Sequence, residues 1–152
     1  MVDISRKPDV LRRATAEGTI RLKPSTVAAI RSGSIAKGDP LAAAEVAGLQ
    51  AIKATWQVLP HTHPIPLTSA AVEFELGRDH IVATAEVQAT YKTGVEMEAL
   101  YGVTTALLTI WDMVKGLEKD ARGQYKIAAL DRIRVVRKEK GVRSKDRDGR
   151  EP

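Results

Sequence analysis

The 152-residue chain has no cysteine, a single phenylalanine and only 4% aromatic residues. Without cysteine there is no disulfide, no thiolate metal site and no thiol nucleophile. With so few rings there are few platforms on which nucleic-acid bases could stack. No apolar run reaches the ~18 residues expected of a membrane span, so no membrane role is expected. The N-terminus, MVDISRKPDV, lacks the apolar stretch of a signal peptide, which points to a cytoplasmic protein. There is also no glycine-rich phosphate loop, no GxGxxG after a strand and no GxSxG. An anion site here must therefore be built from Lys, Arg and His side chains.

What is present is ordinary for a soluble globular domain: 43% hydrophobic and 28% charged residues. The length suits one domain, expected over residues 1–140. The formal charge of +5 comes in part from the charge-dense end RKEKGVRSKDRDGREP, so residues 141–152 are expected to form a disordered basic tail. A basic chain also attracts small polyanions, nucleoside triphosphates among them.

Periodicity predicts the elements. Residues 1–15 carry charge without clear alternation and read as an extended arm. GTIRLK (18–23) alternates as a strand. PSTVAAIRSG, with Pro24 at its start and Gly33 at its end, reads as a short helix. A second helix follows KGDP, with Asp39 as N-cap and Pro40 in the first helical position. The three prolines of WQVLPHTHPIPLTSA exclude regular helix there. AAVEFELG and HIVATAEVQATY, joined by Gly77-Arg78-Asp79, read as a hairpin. A long helix, TGVEMEALYGVTTALLTIWDMVKGLEK (93–119), and a last strand within QYKIAALDRIRVVRK complete the order β-α-α-β-β-α-β. That order predicts an α+β fold, an antiparallel sheet covered by helices on one face.

Several side chains could carry chemistry. Asp112 and Lys115 are three apart and share a helix face. Their apolar neighbours predict a partly buried pair with perturbed protonation, which suits function as well as it suits a structural ion pair. Glu96 and Glu98 point about 200° apart at ~100° per residue, and the dipole of a first helical turn explains both simply. Lys37 stands beside the free N–H groups of a helix start, a combination suited to phosphate or carboxylate. Lys53, at the far end of that helix, could serve only its dipole. His61 and His63 alternate on an extended segment and so make a poor chelate, and no metal site is expected. His63, fixed before Pro64, fits a cleft imidazole as well as a satisfied loop histidine.

Five motifs coincide in order: VDIS (2–5), KGD (37–39) followed by AxxAGLQAIKxT, LPxxHP (59–64), KTGVEMEAL (92–100) and LTIWDMVK (108–115). Together they resemble the cyclic pyranopterin monophosphate synthases, the molybdenum cofactor biosynthesis protein C (MoaC) family, over residues 1 to about 138. The resemblance implies a ferredoxin-like α+β plait, assembled as a homohexamer from three dimers. It implies a lyase that turns 3′,8-cyclo-7,8-dihydroguanosine 5′-triphosphate, made from GTP by a radical SAM enzyme, into cyclic pyranopterin monophosphate and pyrophosphate. No cofactor of the protein's own is implied, and Mg²⁺ accompanying the triphosphate is left open.

By the same resemblance, Lys37, Asp112 and Lys115 are the catalytic group. His63, Glu96, Met97, Glu98, Arg12, Lys138, Lys53 and Asp3 would bind substrate, with Lys140 as the alternative to Lys138. Two departures stand out. Thr62 occupies a place where many relatives have Cys, so a thiol is not required, and the C-terminal KxGGKSG of bacterial relatives appears only as RKEKGVRSK.

From Glu96 to Asp112 is 16 positions, roughly 24 Å along a helix at ~1.5 Å per residue. One guanosine-derived substrate does not span that distance comfortably, so a site using both ends would lie at a subunit interface. Two rivals from other classes remain at this point. A basic α+β module binding RNA would leave Glu96, Glu98 and Asp112 unexplained, and an oligomerisation module would leave Lys37 and His63 unexplained.

Overall fold

A computed structural model describes residues 1–141; the rest of the expected tail, 142–152, lies outside the described residues. The elements are β1 (Val10–Arg21), α1 (Pro24–Arg31), α2 (Pro40–Val58), β2 (Leu67–Leu76), β3 (His80–Tyr91), α3 (Glu96–Glu118) and β4 (Ala129–Lys140). All neighbouring strands are antiparallel, in the order β2-β3-β1-β4. With the β-α-β-β-α-β chain path this is the ferredoxin-like plait, with α1 as an additional helix before α2.

The sheet separates two kinds of side chain by simple alternation. Ala14, Ala16 and Ile20 of β1 and Ile81, Ala83, Ala85, Val87 and Ala89 of β3 face the helices and are buried. The small alanines among them let α3 lie close to the central strands. The opposite face is polar, and there Arg13 meets Gln88 at 2.7 Å while Arg134 meets Glu17 at 2.7 Å. The two aromatic residues of the strands, Phe74 and Tyr91, both pack against the core.

Two expectations need correction. Residues 10–15 are not part of an arm: β1 begins at Val10, because pairing with β3 and β4 on both sides supplies its ladder despite charges at Arg12 and Arg13. Helix α2 runs to Val58, so Trp56, Gln57 and Val58 belong to its last turn and the helix stops ahead of Pro60. Asp39 caps α2 as expected, its Oδ1 accepting from the N–H groups of Leu41 (2.9 Å) and Ala42 (3.2 Å).

Helices α2 and α3 cross at two glycines. A Cβ on Gly102 would lie 2.5 Å from Ile52, and one on Gly48 would lie 3.2 Å from the Gly102 carbonyl. Only the missing side chains allow so close a crossing. Strand β4 shifts register twice against β1, and beyond the second shift Lys138 pairs with Ala14, whose side chain faces the helices. That turns Lys138 toward the first turn of α3. Among the described residues no helix is long and apolar enough to cross a membrane.

Candidate active site

Helix α3 carries a charged cluster at each end. Near its C-terminus one carboxylate holds two ammonium groups. Lys115 Nζ donates to Asp112 Oδ1 at 2.7 Å. Lys37, from the loop between α1 and α2, donates to the Asp112 backbone carbonyl at 2.9 Å and to Oδ2 at 3.3 Å. The group is more open than its apolar neighbours suggested: the side chains of Lys37, Asp112 and Lys115 are 49%, 59% and 45% exposed. The neighbours are open too, with Leu108 at 58% and Leu117 at 49%. So α3 buries one stripe, and its other apolar side faces outward.

Hydrogen bonds from Lys115 and then Lys37 hold the Asp112 carboxyl below the usual range, and Asp112 in turn raises Lys115. At neutral pH the pair is therefore a carboxylate beside an ammonium, each held in its charged form by the other. A small, largely apolar cavity of about 260 Å³ adjoins it, lined by Ile35, Lys37, Met113, Val114 and Leu117.

At the other end of α3 is a cleft of about 370 Å³ lined by Lys7, Arg12, Lys92, Glu96, Met97 and Lys138. Among the described residues, four cations face one carboxylate. The Arg12 guanidinium is oriented by the backbone carbonyls of Tyr91 and Lys92, each at 3.4 Å. Lys92 Nζ holds the N-terminal arm by the Ser5 carbonyl at 2.9 Å. Lys138 forms an ion pair with Glu96. Burial pushes the Glu96 carboxyl up, but Lys138, helped by Arg12, outweighs it and holds the group below its ordinary value. Gly94 makes room for this arrangement, since a Cβ there would run into the Glu96 carboxylate.

Glu98 differs sharply from Glu96. It is 3% exposed, and burial, aided by the charge of Glu96, pushes its carboxyl up to about 7. Asp3 is held low by the backbone and side chain of Ser5, with smaller contributions from Lys92 and His63. His63 is half-buried, whereas His61 is exposed, its Nδ1 lying 3.3 Å from the N-terminal amine.

The structure therefore sorts the predicted residues into two groups. Lys37, Asp112 and Lys115 meet at one end; Arg12, Glu96, Met97 and Lys138 line the cleft at the other, and Asp3 and His63 are outside its lining. Lys138 rather than Lys140 lines the cleft. Lys53 is exposed on α2 and, among the described residues, bonds to neither group. Sequence reasoning overlooked Lys7 and Lys92. Lys92 had a usable signal, a cation at the end of a strand just ahead of the start of a helix; Lys7, in an aperiodic arm, had none.

The MoaC family model matches residues 1–141. Over 144 residues the chain is 56% identical to a probable cyclic pyranopterin monophosphate synthase of Pyrococcus furiosus, covering 95% of this chain and 92% of that protein. It is 55% identical to a protein of the same name from Thermococcus onnurineus, covering 92% and 90%. A relative from Methanothermobacter thermautotrophicus, 54% identical with 92% and 88% covered, is named a probable cyclic pyranopterin monophosphate synthase accessory protein. On the match along almost its whole length, this chain belongs to the MoaC family.

Proposed function

We propose that the chain is a cyclic pyranopterin monophosphate synthase of molybdenum cofactor biosynthesis. It converts 3′,8-cyclo-7,8-dihydroguanosine 5′-triphosphate to cyclic pyranopterin monophosphate and releases pyrophosphate. The observation that carries this reading, beside the family, is the cleft in which Lys7, Arg12, Lys92 and Lys138 face the single carboxylate of Glu96. Such a surface favours a triphosphate and the charge that develops on departing pyrophosphate.

The rearrangement opens an imidazole ring, closes a pyrazine ring and forms a cyclic phosphate. Each step moves protons at nitrogen and oxygen. In this reading Lys115 and Lys37 act as acid/base groups near the ring and ribose, and Asp112 receives a proton or orients the two lysines. Arg12, His63 and Lys138 hold the triphosphate. Glu96 and Met97 form the wall between the phosphates and the base, the buried Glu98 backing them, with Asp3 closing the arm beside His63. No cofactor of the protein's own is required in this reading, and Mg²⁺ with the triphosphate stays open.

The same reading makes the enzyme cytoplasmic and a homohexamer of three dimers, supplied by a radical SAM enzyme. Clusters at opposite ends of α3 belong to different pockets, each completed by another copy. Nothing favours the RNA-binding alternative: the aromatic residues of the strands are committed to the core, and the open sheet face carries Glu17, Glu73 and Glu86. Incubating the protein with the cyclised triphosphate tests the assignment. Equimolar pyrophosphate and cyclic pyranopterin monophosphate are expected; pyrophosphate without the pterin, or no turnover, refutes it.

A further inference from the structure

Two helix ends meet far from the cationic cleft. Lys23 is the N-cap residue of α1, and its side chain caps nothing on its own helix. Instead, Glu118, the last residue of α3, accepts the Lys23 backbone N–H at 3.0 Å. Lys23 Nζ in return donates to the backbone carbonyls of Leu117 at 2.8 Å and Lys119 at 3.4 Å. Each residue satisfies backbone groups that the end of the other's helix leaves without partners. The charges also have the favourable sense, an acid at the start of α1 and a cation at the end of α3. Glu118 is 1% exposed, and among the described residues its Oε2 has no hydrogen-bond partner. A buried carboxylate with one oxygen unsatisfied is costly, and a mere surface cap would not require that burial.

The joint lies between the two segments that bring the catalytic cations together. Glu118 is three residues, about one helical turn, beyond Lys115 on α3. Lys37 stands on the segment that leaves α1, anchored by the buried Ile30 and Ile35. So α1 is tied to α3 at its start by Lys23 and Glu118, and the loop after it meets α3 again where Lys37 reaches Asp112.

We propose that the Lys23–Glu118 clasp is a positioning device that sets Lys37 against Asp112 and Lys115 and so governs the chemical step. This rests on the function proposed above. A misplacement of about 1 Å in a catalytic group can cost on the order of 100-fold in rate, so a clasp of this kind acts on kcat more than on KM.

The test uses the full-length protein and three variants: Glu118→Leu, Lys23→Met and Glu118→Gln, the last keeping an oxygen that can accept the Lys23 N–H. Turnover of the cyclised triphosphate is measured per folded protein, together with the NMR titration of the Asp112 carboxyl. Glu118→Leu and Lys23→Met should each lower kcat at least tenfold with KM changed less than about threefold, and Glu118→Gln should recover most of the loss. In the two damaging variants Asp112 should titrate at higher pH than in the wild type, since Lys37 is withdrawn. Wild-type kcat in folded Lys23→Met overturns the proposal. So does an unmoved Asp112 titration, a readout that stands even if Glu118→Leu fails to fold. Absence of product from the wild type would instead refute the functional reading, leaving the titration to decide the clasp.

Discussion

Lys37 donates to both the backbone carbonyl and the carboxylate of Asp112, 75 residues further along the chain, at 2.9 and 3.3 Å. The contact joins the loop ahead of α2 to the last turns of α3. It gives Asp112 a second cation besides Lys115 and makes one three-residue group of what the spacing suggested was an i, i+3 pair.

This group should matter to rate and hardly at all to stability. Ion pairs this exposed are screened by water and add little to stability. Lys37→Ala, Lys115→Ala and Asp112→Asn should each lower kcat by about 100-fold or more and leave the denaturation midpoint nearly unchanged. Turnover within a few-fold of wild type in either lysine variant would remove that residue from the catalytic group.

Burial of Glu98 sets the sign of a pH dependence. Its carboxyl is raised from 4.5 to about 7 in the folded protein, chiefly by burial. Below pH 4.5 both states are protonated and the position costs nothing. Between there and about 7 the native state keeps a proton that the unfolded chain has released, so stability falls as pH rises. At ~1.4 kcal/mol per unit the loss is of order 3 kcal/mol at most. Glu98→Gln should therefore be more stable than wild type at pH 8 and no more stable at pH 4. Equal stabilities at both pH values, in urea titrations, would deny the buried charge.

Two glycines of α3 should respond oppositely to alanine. At Gly102 the new Cβ would lie 2.5 Å from Ile52 Cγ1, and overpacking of this sort costs about 1–3 kcal/mol. At Gly116 a Cβ meets nothing within 4 Å, so the helix should gain up to about 1 kcal/mol. Denaturant midpoints for Gly102→Ala and Gly116→Ala should move down and up respectively.

Much of this was legible in the residues. Asp39-Pro40 announced the start of α2, and the alternation from His80 to Tyr91 announced β3, because caps and pleats are written locally. Strand β1 was half hidden: Arg12 and Arg13 interrupt its pattern, and only pairing on both sides makes it a strand from Val10. The site divided in the same way. Motifs pointed to Lys37, Asp112 and Lys115, but the openness of the pair depends on how α3 lies on the sheet, which spacing does not encode. Lys7, Lys23 and Glu118 act through contacts 80 or more residues away or from an aperiodic arm, so no local pattern marks them.

On the proposed function, the two charged ends of α3 complete one site only between copies of the chain. Glu96 and Asp112 are 16 positions and roughly 24 Å apart, a distance one compact substrate does not span comfortably within a subunit. The direct measurement is turnover by mixed oligomers of two inactive variants, Glu96→Ala and Lys115→Ala, after subunit exchange has been verified by mass spectrometry. Pockets that draw an intact end from each variant should restore a substantial fraction of wild-type activity. Verified exchange with no recovery would contradict the account.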